Sequence, residues 1–271
     1  MGTPRPILRN AVFAAGSGTP VLLLHGSASS SSMWTPVINA LKPRFRLIAP
    51  DLIGYGRTDP WPEGHEFRLG DELQLIEPLI AHLPGGAHVV AHSYGGVVAL
   101  ALARANRVGI RSLTLIEPVA FDIVRNDPQA WPEAERFSSG FAERMARGDV
   151  EAAMRHFVDY WSSAGTWSSM DEGSRALMRR AASKIVLEFE AVFADPEVDT
   201  LRAVAFPVRL IAGDKSPLPV RRIAALLAER LPNASLQVIA GANHLLPSTH
   251  HHMLSELLLE TLGPGNSTSL A

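Results

Sequence analysis

The chain has 271 residues, 46% apolar and 19% charged, and its 25 Lys+Arg against 27 Asp+Glu leave a net charge of −2. That balance excludes a long disordered chain, which needs low hydrophobicity or high net charge, and speaks against a duplex nucleic-acid binder, which carries a basic excess. With no Cys in the sequence, disulfide frameworks, thiolate metal sites, iron–sulfur clusters and a Cys nucleophile are excluded as well.

In chain order, Met1–Asn10 holds two prolines and two arginines and no apolar leader segment. No apolar run approaches the ~20 residues of a membrane span. These features predict a soluble, cytoplasmic protein with no membrane partner. Pro6–Thr19 reads as an antiparallel hairpin turning at Gly16-Ser17-Gly18. Six short apolar runs follow: Val21–Leu24, Phe45–Ala49, His88–Ala91, Leu113–Ile116, Val208–Ala212 and Leu236–Ile239. Continuous rather than alternating runs suit strands buried on both faces of a parallel sheet. Trp34–Leu41, Leu69–His82, Tyr94–Ala105, Val220–Leu231 and Met253–Leu262 carry apolar residues at helical spacing. Strand alternating with helix predicts an α/β fold, a mostly parallel central sheet flanked by helices.

The rhythm breaks between Val119 and Val198. That stretch reads as helices over Ala134–Arg147, Val150–Trp161 and Gly173–Phe193, and it holds three of the five tryptophans, Trp131, Trp161 and Trp167. A helical subdomain of residues 119–198, inserted over one end of a sheet built from 1–118 and 199–271, is expected. The Gly/Ser/Thr-rich tail Gly263–Ala271 reads as frayed.

The chemistry concentrates at His88-Val-Val-Ala-His-Ser-Tyr-Gly-Gly-Val98, which runs strand, sharp turn, helix. Ala91-His92-Ser93-Tyr94-Gly95 is a G-x-S-x-G elbow with Ala at the first small position. The turn must strain Ser93 so that its hydroxyl stands above the sheet. The positions two before and two after must be small, because strand and helix approach closely there. An ordinary βα turn that happens to contain Ser is the plainer alternative. The Tyr94 N–H, at a helix N-terminus, points at a developing oxyanion. Upstream, Leu22-Leu-Leu-His-Gly-Ser27 ends a buried strand in a small polar loop, and the Ser27 N–H is the candidate second oxyanion donor. His25, at the edge of the substrate pocket, reads as a brace for that loop. Downstream, Val238-Ile-Ala-Gly-Ala-Asn-His244 puts a His on a Gly-containing loop past the last strand. His244 is the candidate general base for Ser93.

These motifs together resemble the α/β-hydrolase superfamily over nearly the whole chain. The carriers are His25-Gly26 followed by Trp34, Asp51-Leu-Ile-Gly-Tyr-Gly-Arg-Thr58, Ala91–Gly96, Gly213-Asp-Lys-Ser-Pro217 and Gly241-Ala-Asn-His244. The resemblance implies a small cofactor-free serine hydrolase with a helical cap, whose tryptophans Trp131, Trp161 and Trp167 help enclose the substrate, and an Asp51–Thr58 loop that is structural. The pattern departs at one place. Where the family usually has Gly-x-x-Asp, this chain has Gly213-Asp214-Lys215-Ser216, so Ser216 stands at the position of the His-orienting acid. Two carboxylates are candidates to replace it. Glu117 directly follows Leu113–Ile116, and Pro118 biases it toward an extended backbone. Asp214 is the alternative, two positions before Ser216.

No metal and no cofactor are expected. Ten histidines invite a metal reading, but adjacent side chains of His250-His251-His252 on a helix point about 100° apart and cannot converge on one ion. Gly16-x-Gly18 and Gly54-x-Gly56 lack the strand-to-helix setting of a dinucleotide loop. The function expected is hydrolysis of a small carboxylic ester or lactone through an acyl-enzyme at Ser93. Carbon–carbon bond hydrolysis, or ligand reception without turnover, are the alternatives. The partner expected is an apolar small molecule, not nucleic acid.

Overall fold

A computed structural model of the chain describes residues 11–193 and 204–263. The elements in order are β1 (Val12–Ala15), β2 (Thr19–Leu24), α1 (Thr35–Leu41), β3 (Phe45–Pro50), α2 (Leu69–Ile80), β4 (Ala87–His92), α3 (Tyr94–Ala105), β5 (Ile110–Ile116), α4 (Ala130–Ala146), α5 (Val150–Trp161), α6 (Thr166–Ser169), α7 (Glu172–Phe193), β6 (Val208–Gly213), α8 (Leu218–Arg230), β7 (Ala234–Ile239), α9 (Leu246–Thr249) and α10 (His251–Leu262).

The strands form one seven-stranded sheet in the order β1-β3-β2-β4-β5-β6-β7. Every pairing is parallel except that of β1 with β3. The apolar runs of the inner strands are covered on both faces. Val21 and Leu23 of β2 pack with α1 and α10, whereas Leu22 and Leu24 face the layer that includes α2, α3 and α8, as the two-residue period of a strand requires. Between β5 and β6 the described residues make only helices, α4 to α7, so the expected helical insert is present. The far end of the expected 119–198 span lies outside the described residues.

Two expectations fail at the sheet edges. The hairpin anticipated before Thr19 is absent: Val12 to Ala15 pair with Pro50 to Leu47 of β3, not with β2. The turn at Gly16-Ser17-Gly18 therefore sends the chain past β3 to the sheet interior. Residues 6–10 of that anticipated hairpin lie outside the described residues, as does the tail beyond Gly263. The last strand is not buried on both faces either. β7 closes the sheet at an edge, leaving Leu236 and Val238 37% and 56% exposed. A continuous apolar run does not distinguish an edge from the interior.

The parallel registers align the strand ends. His92 pairs with Ile116, Ile116 with Ile211, and Gly213 with Ile239. The residues that follow β4, β5, β6 and β7 therefore emerge side by side at the carboxyl edge of the sheet, the usual place for a site in an open parallel sheet.

Candidate active site

A staircase of backbone bonds sets the strand ends. The Ser93 N–H donates to the Ile116 carbonyl at 3.0 Å, the Glu117 N–H to the Ile211 carbonyl at 2.9 Å and the Asp214 N–H to the Ile239 carbonyl at 3.1 Å. Ser93 sits between β4 and α3 at φ 55°, ψ −121°, a region costing a non-glycine residue about 1–3 kcal/mol. Close packing holds it there. A side chain at Gly95 would run into the His25 and Leu24 carbonyls, and one at Gly26 would meet the Ser93 Cβ and the His92 ring.

On this edge Ser93, His244 and Glu117 form one bonded chain. Ser93 Oγ lies 2.9 Å from His244 Nε2, and His244 Nδ1 lies 3.1 Å from Glu117 Oε2. All three are buried. With Nδ1–H donating to the carboxylate, Nε2 is free to accept the serine proton. The other carboxylate oxygen of Glu117 accepts the Gly213 N–H at 2.5 Å, which fixes the acid against the end of β6. An arrangement of this kind can draw a proton from the hydroxyl and stabilise the imidazolium that results.

Glu117 reaches His244 with a backbone unlike the one expected. Its φ is +52°, not extended. The bond to Ile211 still continues the ladder, and the left-handed turn swings the side chain across the end of β6 toward the His244 loop. Asp214, the alternative acid, is exposed and turned elsewhere: its Oδ1 accepts the Gly241 N–H at 2.7 Å. It shapes the loop that carries His244 without touching the imidazole. Ser216 is buried, and its hydroxyl has no partner among the described residues.

Tyr94 opens α3, where the first N–H groups lack intrahelical acceptors, and both it and Ser27 line a small cavity beside Ser93. The Ser27 hydroxyl donates to Glu188 Oε2 at 2.5 Å. His25 braces rather than contacts ligand space. Its Nε2 accepts the Leu52 N–H at 2.9 Å, its Nδ1 donates to the Gly26 carbonyl at 2.8 Å, and burial lowers its pKa to about 4. The Asp51–Thr58 loop is structural as expected: Asp51 accepts the Ser31 N–H at 2.7 Å and the Arg57 N–H at 3.1 Å.

Two cavities border Ser93. The larger, about 340 Å³, is bordered by Ser27, Met33, Ser93, Phe157, Trp161 and His244 among others. The smaller, about 20 Å³, touches Ser27, Ser93, Tyr94 and Glu188 but not His244. Of the three tryptophans expected to enclose substrate, only Trp161 borders these cavities. It borders both cavities and stacks on the His244 ring at 3.9 Å. Trp167 is fully buried and donates its Nε1–H to Glu151 at 2.7 Å, serving the packing of the insert. Trp131 lies edge-on to Phe193 and under the Arg125 guanidinium, away from both cavities. Position along the chain does not say which indole faces the sheet.

Several residues at the site were not anticipated. His92, inside the elbow, donates Nε2–H to the His244 carbonyl at 2.9 Å, so it positions the His244 backbone. Burial holds its pKa well below the usual histidine value, the neighbouring His244 adding to the effect. A second group is a buried carboxylate–ammonium–carboxylate cluster. Lys184 Nζ of α7 lies 3.1 Å from Glu72 Oε1 of α2 and 3.2 Å from Glu188 Oε1, with the Phe67 ring 3.9 Å away. Burial pushes the Glu188 carboxyl up, against the pull of Lys184. The signal for this cluster was in the sequence: Lys184 and Glu188, four apart, interrupt the apolar stripe of Ala181, Ile185 and Val192.

Among the described residues, no group of three or more His, Cys, Asp or Glu side chains could hold a metal ion, and no helix is long and apolar enough to cross a membrane.

Comparison with known proteins agrees with this architecture. The family model described as the alpha/beta hydrolase fold matches residues 19–250. A pimeloyl-[acyl-carrier protein] methyl ester esterase of Nitrosospira multiformis is 26% identical over 86% of this chain and 90% of its own length. A probable lysophospholipase of Arabidopsis thaliana is 25% identical over 83% of this chain, which spans only 57% of the plant protein. The crystal structure of an alpha/beta hydrolase enzyme from a Medee basin deep-sea metagenome library superposes with a TM-score of 0.80 at 18% identity, covering 96% of each chain, a likeness of fold.

Proposed function

The chain belongs to the α/β-hydrolase family, and on that premise we propose that it is a serine hydrolase cleaving a small carboxylic ester through an acyl-enzyme at Ser93. Ser93 Oγ attacks the ester carbonyl while its proton passes to His244 Nε2. Glu117, bonded to Nδ1, keeps the imidazole in the required tautomer and stabilises its cation. The Tyr94 and Ser27 N–H groups receive the oxyanion, each worth about 2.7–4 kcal/mol of transition-state stabilisation. His244 then returns the proton to the leaving alcohol. In the second half, His244 deprotonates a water that attacks the acyl carbon, and the acid departs with Ser93 restored.

The observation that carries the reading is the bonded chain Ser93–His244–Glu117. It counts against a non-catalytic receptor, because a carboxylate from the end of β5 stands at the imidazole in place of the acid expected at Ser216. The relative named as a methyl ester esterase supports the choice of bond. The larger cavity, bordered by Met33, Phe157, Val158, Trp161, Met170 and Met178, supports an apolar small-molecule substrate. The test is steady-state hydrolysis of p-nitrophenyl acetate by the folded wild type beside Ser93→Ala. Turnover lost in the variant upholds the reading. Equal rates in both would refute it.

A further inference from the structure

An ester bound at Ser93 has two unequal arms, and the two cavities receive them differently. The carbonyl carbon must sit at Ser93 Oγ, and Ser93 borders both cavities. The leaving oxygen must then come within about 2.6–3.2 Å of the imidazole that protonates it. His244 borders only the larger cavity, of about 340 Å³. The alcohol arm therefore lies there. The carbonyl oxygen faces the Ser27 and Tyr94 N–H groups, which leaves the acyl arm the apolar remainder of the same cavity of about 20 Å³, toward Phe121 and Val192.

That smaller cavity is short of room and firmly walled. A space of about 10–15 Å³ by this measure holds one water, so it admits a methyl group and little more. Phe121 and Val192 of its wall are buried in the core. Glu188 lines it, with both carboxylate oxygens engaged by Ser27 and Lys184, and the bond from Ser27 ties α7 to the sheet domain.

Resting on the serine-hydrolase reading above, we propose that the smaller cavity is an acyl subsite for acetyl-sized groups, and that the substrate is an ester of a short acid with a larger, apolar alcohol. A methyl ester of a long acid presents its arms the wrong way round. An added methylene in a closed apolar pocket changes discrimination by about 10–200-fold, so the preference is measurable.

Hexyl acetate and methyl heptanoate test this directly, because they are constitutional isomers and differ only in which arm is long. The expected result is a kcat/KM for hexyl acetate at least about tenfold above that for methyl heptanoate. Val192→Ala, which removes part of the wall, is expected to narrow that ratio by raising activity on methyl heptanoate. Should the variant not fold, the wild-type comparison still decides. Equal or reversed preference in the wild type, with turnover that Ser93→Ala abolishes, overturns the acyl assignment and leaves the hydrolase reading standing. No Ser93-dependent turnover of any ester overturns both.

Discussion

The carboxyl edge of the sheet and the helical insert build the same site in opposite ways. At the sheet edge, each functional residue is one that directly follows a strand or lies on the loop after it, and the ladder decides where it points. Ser93, Glu117 and His244 meet because β4, β5, β6 and β7 run parallel in register. In the insert no such ladder exists. α4, α5 and α7 pack through Phe137, Phe141, Phe157 and Phe189, and scattered residues such as Phe157, Val158, Trp161, Met170 and Met178 border the cavities at Ser93. Substitutions at the sheet edge should therefore be sharp and specific, and those in the insert graded or directed at stability.

The largest effect expected is at the acid. Glu117→Gln should lower kcat about 10³–10⁴-fold while leaving the fold intact, since an amide cannot stabilise the imidazolium by charge. Circular dichroism beside ester kinetics checks it, and a loss under tenfold would break the contrast between the two regions. Next comes Lys184→Met, which leaves Glu72 and Glu188 buried without their cation. Removing one partner of such a group costs about 3–5 kcal/mol, readable as a lowered urea midpoint. An unchanged midpoint would mean that the insert is not anchored through this cluster.

Within the insert, Trp161→Ala should reduce kcat/KM about 10–100-fold, on the scale of a side chain that orients a reacting group, because it removes the ring stacked on His244. Trp131→Ala should leave kinetics near wild type. If the two variants behave alike, the indoles have been assigned wrongly. A pH effect tests the sheet side. Burial lowers both His25 and His88 to about 4, with the charge of Arg111 contributing at His88. A histidine whose folded pKa lies below its unfolded value takes up its proton more readily in the unfolded chain. Stability should thus be full above about pH 6.5 and fall as the pH drops toward about 4. Replacing His25 with Asn should weaken that dependence. The smallest effect belongs to Asp214→Asn, less than about tenfold in kcat, because an amide oxygen still accepts the Gly241 N–H.

The contrast also explains what the sequence reveals. Ser93, His244 and the sheet are legible because local chemistry dictates them: small residues flanking a strained serine, apolar runs between helices, a His on the last loop. Glu117 is legible as a strand-end carboxylate, although its left-handed backbone is not. Pro118 disfavours the helical region for Glu117, and only the tertiary bonds to Ile211, Gly213 and His244 account for the turn it takes. The pairing of β1 with β3 and the exposure of β7 depend on strand order, which no single segment encodes. In the insert, the helices are read from their periodicity. Which face of each helix meets the sheet is a property of packing, and so Trp161 looks no different from Trp131 and Trp167 until the chain is folded.

The proposed chemistry turns on Glu117 activating Ser93 through His244. Its most direct measurement is the rate at which a fluorophosphonate labels the protein, followed by intact mass, for wild type, Glu117→Gln, Asp214→Asn and Ser93→Ala. One adduct is expected on the wild type, at Ser93, formed about as fast in Asp214→Asn, at least about a hundredfold slower in Glu117→Gln, and absent in Ser93→Ala. Rapid labelling of Glu117→Gln together with slow labelling of Asp214→Asn would contradict that role of Glu117.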